Sequence, residues 1–219
     1  MIKRITVLLT VIILSGCLDD FSYIGGNITD NQPPLIWADE LFTELDINDG
    51  YTKTTFSTNN KNHWTYEGFT MWTVWGDDVT PFESRTVKME KPSGHSSGGY
   101  GIVFCHGEYE INGSNTYVML VVMIRNSGQY IIGKVIGGDF TDFSWWKPFT
   151  QRTGINEIKV DYIESSNEYR LTINDVELER FSDDSIPVLT GGKNGYIAVV
   201  SPLDNFPITG ININFYERR

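Results

Sequence analysis

Turn signals recur about every ten residues along most of this chain, and no other feature constrains its fold as much. Gly76-Asp77-Asp78, Gly98-Gly99, Asn112-Gly113, Asn126-Ser127-Gly128, Gly137-Gly138, Ser165-Ser166-Asn167 and Gly191-Gly192 punctuate the sequence. Between them lie short runs rich in β-branched and aromatic residues: Phe69 to Trp75, Ile102 to Cys105, Tyr117 to Ile124, Tyr130 to Ile136, Ile158 to Ile163, Tyr169 to Ile173, Tyr196 to Val200 and Ile211 to Tyr216. Such runs are too short and too closely spaced to alternate with helices, so the pattern predicts an all-β sandwich or barrel. Ile158-Lys159-Val160-Asp161-Tyr162 places its apolar residues on one face, as a sheet with one wet face requires. Tyr117 to Ile124 is apolar at nearly every position and reads as a central strand covered on both sides. Trp37, Leu41, Phe42 and Leu45 have near-helical spacing and predict a single helical turn or an irregular edge. No repeat period, long helix or second domain is legible.

The N-terminus is a processing signal rather than part of the fold. Lys3 and Arg4 precede an apolar stretch from Ile5 to Leu14, which is too short to span a bilayer as a helix of ~20 residues. It ends in Leu14-Ser15-Gly16-Cys17, and the combination resembles a prokaryotic lipoprotein signal with its lipobox. The resemblance implies cleavage before Cys17, a diacylglycerol on its sulfur and a place in the cell envelope, anchored at the outer membrane or cell surface. Three segments are expected: a signal peptide over 1–16, a lipidated Cys17 with a Gly-, Asn- and Pro-containing tether over 17–34, and one folded domain over 35–219. Two acyl chains, at ~0.8 kcal/mol per buried methylene, would anchor the chain stably. With Cys17 occupied, Cys105 has no partner for an intramolecular disulfide.

The pattern Ser97-Gly98-Gly99-Tyr100-Gly101-Ile102-Val103-Phe104 resembles the concanavalin A-like lectin/glucanase superfamily, in particular its laminin-G-like and 3-keto-glycoside hydrolase-type domains. The likeness continues in order through Tyr117-Val118-Met119-Leu120, Gly128 to Val135, Gly154 to Val160, Tyr169 to Asn174 and Gly195 to Val199. It implies a jelly-roll sandwich of two antiparallel sheets, with a concave sheet and its rim as the ligand surface. The family's usual Asn-Gly hairpin turn reads Asn174-Asp175 here, which predicts a longer or strained turn.

Charge and motifs narrow the function classes. The net charge of −11 argues against nucleic acid, whose binders need a basic face. Glycoside cleavage needs two convergent carboxylates, and family 16 glucanases carry them as Glu-x-Asp-x-x-Glu on one strand. That motif is absent. Glu108 with Glu110, and Glu177 with Glu179, are the nearest pairs, and both fit a solvated strand face. Cys105 and His106 point to opposite faces of a strand and cannot share one zinc ion. Calcium is the cation the superfamily leaves open, with Asp139 and Asp142, or Asp183 and Asp184, as ligand candidates. No cofactor motif and no nucleophile elbow are present. Trp145 and Trp146 follow the acidic segment Asp139-Phe140-Thr141-Asp142-Phe143. Adjacent residues on an extended chain face opposite ways, so one indole should point inward and the other outward or under a covering loop, which would leave both packed. An open indole could cover the C–H face of a sugar, with Asp139 and Asp142 accepting its hydroxyls. The sequence therefore favours a monomeric, lipid-anchored domain that binds a neutral glycan weakly. A glycoside hydrolase with unrecognised carboxylates, or a structural, partner-binding surface protein, are the alternatives.

Overall fold

The computed structural model describes residues 36–37, 41–47, 50–58, 69–76, 81–182, 191–200 and 210–218. Strands are numbered in chain order. The first sheet contains β1 (Ile36–Trp37), β4 (Phe69–Trp75), β13 (Lys193–Val200), β6 (Tyr100–Ile111), β7 (Ser114–Arg125), β8 (Gln129–Ile136) and β9 (Asp139–Pro148), in that spatial order. The second contains β12 (Val176–Phe181), β11 (Glu168–Ile173), β10 (Asn156–Ile163), β5 (Ser84–Ser93), β14 (Ile211–Arg218), β3 (Tyr51–Thr58) and β2 (Phe42–Ile47). Neighbours are antiparallel except β1, which runs parallel to β4. β13 lies between β4 and β6, and β14 between β5 and β3, so the chain crosses repeatedly between the sheets, as in a jelly roll.

The core forms where the inward faces meet. Ile102, Phe104, Leu120, Val122 and Ile124 of the first sheet share a cluster with Val87, Met89, Val160, Leu171 and Phe215 of the second. Tyr196 stacks on Phe215, with ring centroids 4.2 Å apart. A second apolar layer lies on the outer face of the first sheet, where Val103, Val121, Met123, Ile131 and Ile197 are all buried. This explains the unbroken apolar run in β7: it has dry surface on both sides. The outer face of the second sheet is a polar lattice instead. Thr55 bonds Asn214 at 3.0 Å, Ser57 bonds Asn212 at 2.8 Å, and Asn214 and Tyr216 both donate to Glu90.

Two expectations are refined. The stretch expected to form a helical turn or an irregular edge is an edge strand, β2: Phe42 packs with its ring 5.1 Å from Phe56, Leu41 packs partly against the core, and Leu45 is exposed. The Asn174-Asp175 connection keeps the family's two-residue length. Both residues have positive φ, 53° and 68°, the conformation of a type I′ hairpin turn. The strain is offset by the Asn174 side chain, which accepts from Glu157 N at 2.9 Å and donates to Thr150 O at 2.9 Å.

Two local features shape the first sheet. Between Phe104 and Gly107 the β6–β7 register shifts, and Cys105 adopts φ 53°. This β-bulge sends Phe104 and Cys105 both into the core and reverses the alternation beyond it. Ile102 and Phe104 face inward before the bulge, and Tyr109 and Ile111 pack inward after it. The same break shows against β13, where Gly195 pairs with Val103 but Lys193 pairs with His106. Arg85 of β5 reaches this point from the core side. Its Nη1 donates to Val103 O at 2.7 Å and Gly195 O at 2.8 Å, while Nε and Nη2 donate to the two oxygens of Glu217.

On one flank the sheet orders end at β9 and β12, tied by Lys147 Nζ and Glu179 Oε1 at 2.7 Å. The β8–β9 ladder has two register breaks.

Candidate functional site

The β6 bulge decides which side chains reach the outer face of the first sheet. An unbroken β6 would aim His106, Glu108 and Glu110 at the core, since they share parity with Ile102 and Phe104. The bulge turns them outward, and His106 stacks on Tyr117 of β7, with ring centroids 5.7 Å apart and planes 19° from parallel. Gly192 makes room for this arrangement. It has φ +124°, and a Cβ there would lie 2.6 Å from His106 O.

Beside the stacked pair is a cavity of about 380 Å³. Trp72 of β4, Lys193 of β13, His106 of β6, Tyr117 and Met119 of β7, and Val135 of β8 line it, with the Gly137-Gly138 turn at its rim. The volume is at the small end of ligand pockets. Tyr117 is 60% exposed, so its ring is an open platform rather than a core residue. Among the described residues, no carboxylate lines this cavity. Glu108 pairs with Tyr117 across the β6–β7 ladder, so Glu108 and Glu110 lie along the same face, both exposed, next to the cavity rather than in it. Tyr109 between them turns inward and donates to Gly191 O at 2.9 Å.

The other residues singled out in the sequence lie elsewhere. Trp146 is 6% exposed and joins the outer-face apolar layer. Its ring reaches Met123 and Gly99, and the Arg125 guanidinium sits 3.8 Å from its centroid. Trp145 is 51% exposed on β9, within the irregular stretch of the β8–β9 ladder. The pair therefore divides into one packed and one open indole. Asp142 pairs with Gly133 and Asp139 with Ile136, three residues apart on β8, so the two carboxylates leave opposite faces of the sheet. They are not brought together around one ligand. None of Trp145, Trp146, Asp139 and Asp142 lines the cavity. Cys17, His63, Trp64, Asp183 and Asp184 lie outside the described residues. Among the described residues, no three His, Cys, Asp or Glu side chains group to hold a metal ion.

Cys105 is a chemical possibility that the geometry closes off. Burial pushes its thiol up to about 12, partly countered by the hydrogen bond with Tyr169 Oη at 3.5 Å. Burial also raises the Tyr169 phenol. At neutral pH both groups stay protonated, so Cys105 is not a thiolate nucleophile.

His106, Lys193 and Trp72 were not read as partners from sequence. They come from three separate strands and meet only through the sheet order. One signal was present, however. The inward apolar positions of β6 switch from even numbers (Ile102, Phe104) to odd (Tyr109, Ile111), which requires a bulge between them.

No protein-family model matches the chain, and no curated protein matches it. Solved structures do. A glycoside hydrolase family 16 endo-glucanase from Bacteroides ovatus aligns with a TM-score of 0.52 at 6% identity, over 81% of this chain and 85% of its own. A β-glucanase from Bacillus licheniformis aligns at 0.48 and 7% identity, over 87% and 95%. A carbohydrate binding module from Bacillus subtilis aligns at 0.43 and 11%, over 80% and 91%. With the sheet topology, the first of these shows the fold: the chain is a concanavalin A-like jelly roll. At such identities the likeness fixes architecture and leaves chemistry to the site itself.

Proposed function

We propose that this jelly roll binds carbohydrate in the outer-face cavity, weakly and without cleaving it, at the surface of a cell to which Cys17 anchors it. The observation that carries this reading is a cavity with an open aromatic platform, Tyr117 backed by His106, and no carboxylate among its described lining residues. A sugar presents an apolar C–H face to such a ring, and the Lys193 ammonium can donate to hydroxyls. Glycoside cleavage ordinarily uses two carboxylates flanking one bond, and none is among the described residues lining the cavity. The chain's net charge of −11 disfavours polyanionic glycans at long range, though salt screens this beyond ~10 Å. Neutral glycans are therefore the expected ligands.

Calorimetry with a panel of neutral oligosaccharides tests the reading. A ring stack worth ~1 kcal/mol beyond its buried area means that Tyr117→Ala should weaken binding by roughly five- to tenfold or more. The open Trp145 supports a second location at the β9 edge. If Trp145→Ala abolishes binding and Tyr117→Ala does not, the site is there. Release of reducing sugar that disappears in Glu108→Gln or Glu110→Gln would replace binding with catalysis. For the anchor, the wild type should incorporate labelled palmitate and Cys17→Ser should not. Equal labelling would remove the lipoprotein reading.

A further inference from the structure

The bulge sets β6 in one of two registers, the other being a strand that runs on without it. In the observed one, Cys105 occupies the left-handed region, which costs a residue with a Cβ conformational energy. Removing the bulge would relieve that strain and slip the following residues by one. His106, Glu108 and Glu110 would then turn toward the core, and Cys105 would face outward. Something must hold the strained register in place. The β6–β13 ladder is regular through Gly195–Val103 and resumes, out of phase, at Lys193–His106. The last regular pair before the break is the pair whose carbonyls both accept from Arg85 Nη1. Lys193 and His106, immediately after it, both line the cavity.

The guanidinium is itself immobilised. Arg85 is 4% exposed, its Nε and Nη2 grip Glu217 at 2.8 and 2.9 Å, and its plane lies against Trp75 and Tyr196 at 4.9 and 5.1 Å. Tyr196 also donates to Glu217 Oε2 at 2.8 Å. A rigid fork of donors satisfies two neighbouring acceptors at a fixed spacing, which a flexible ammonium does poorly. We propose that Arg85, from the opposite sheet, is the positioning residue of the outer-face cavity: the bulge disrupts the β6–β13 ladder beside it, and by donating to Val103 O and Gly195 O at that break Arg85 offsets the cost of the bulged register that presents His106 to Tyr117. This takes the cavity as the site, as above, but its test needs no ligand. Failure to bind sugar would leave the register result standing, and the converse holds.

The full chain carrying Cys17→Ser has Cys105 as its sole thiol, which makes the register readable by chemistry. Two measurements apply: labelling of Cys105 by a disulfide reagent in the folded protein, and the proton resonances of the His106 ring, assigned with His106→Gln. In Arg85→Met the His106 resonances should lose the upfield shift from the Tyr117 ring. Cys105 should label at least tenfold faster than in Val160→Ala, a core variant chosen for matched stability. Glu217→Gln leaves the Nη1 bonds in place, so it should keep wild-type resonances and slow labelling despite lower stability. If Arg85→Met does not fold, Arg85→Lys replaces it with the same expectation, since one ammonium cannot hold both carbonyls and both Glu217 oxygens. The proposal is overturned if the folded Arg85 variant matches wild type in both measurements. It is equally overturned if Val160→Ala or Glu217→Gln changes as much as the Arg85 variant does.

Discussion

Truncating the two adjacent indoles should give opposite results, and the size of the difference follows from their surroundings. Trp146 is 94% buried, in contact with Met123 and beneath the Arg125 guanidinium. An aromatic side chain of this size buries roughly 200 Å², which at ~25 cal/mol per Å² is about 5 kcal/mol as an upper figure. The alanine methyl retains a little of that, and the cavity left behind adds to the cost, so Trp146→Ala should lose about 3–5 kcal/mol. Losing the cation–π contact adds about 1 kcal/mol, because Arg125 is itself buried. Together these approach the whole ~5–15 kcal/mol of a domain's stability. Trp145 is half exposed on an edge strand, so Trp145→Ala should cost no more than about 1 kcal/mol. Urea unfolding followed by far-ultraviolet circular dichroism measures both, with the midpoint for Trp146→Ala far below the other. Acrylamide should quench Trp145 more readily than Trp146 when each is compared in the variant lacking its neighbour. Equal midpoints, or equal quenching, would refute the division of the pair into packed and open indoles.

Other outcomes follow from single residues. With Cys17→Ser, Cys105 should resist thiol reagents at pH 8 until urea is added. Its pKa is raised from an unfolded ~8.5 to about 12, so the stability it contributes is complete below the unfolded value and declines as pH climbs toward the folded one. A stoichiometric native-state reaction at pH 8 would contradict this. Asp161 titrates at the opposite end. Burial raises its pKa, but hydrogen bonds from Ser84, Lys159 and Arg170 together outweigh it and the net shift is downward. Its contribution is therefore present above ~3.9 and lost as pH falls below that. Acid unfolding monitored in wild type and Asp161→Asn should show a shallower pH dependence in the variant between pH 5 and 2. Gly195→Ala should fail to give folded protein, because a Cβ there would lie 1.9 Å from Thr73 O, which is backbone and cannot yield. A soluble, cooperatively melting Gly195→Ala protein would mean that β4 and β13 are less closely joined than described.

The sandwich was legible because its signals are local. Turn residues at regular intervals mark strand ends, and the two-sided apolar run of β7 announces a strand with dry neighbours on both sides. Alternation set Trp145 and Trp146 on opposite faces but left open whether a loop covers the outer one, which only the structure decides. The cavity was harder to foresee, because Trp72, His106, Tyr117 and Lys193 are brought together by strand order, and strand order is a long-range property. The β6 bulge leaves only the parity switch as its mark in the sequence, since Cys105 stands where glycine or asparagine would have signalled a positive φ. The near-helical spacing around Leu41 left helix and edge both open, because a few apolar residues match a helical period by chance at an edge strand where Leu41 and Phe42 pack and Leu45 does not.

The flank where β9 and β12 end their sheets governs how molecules of this protein behave next to one another. A strand edge is a row of unused donors and acceptors to which a neighbour can zip, and crowding on a membrane multiplies such encounters. Here the two register breaks bend β9 away from a straight template, and Asp139, Asp142 and Pro148 interrupt what remains. On β12, Glu177 and Arg180 face each other at 2.9 Å, and an incoming strand would have to strip water from both. Along this flank, domains tethered as proposed would find no straight strand edge to zip onto. Straightening β9 by deleting the two extra residues of its irregular stretch would be the shortest route to a seed.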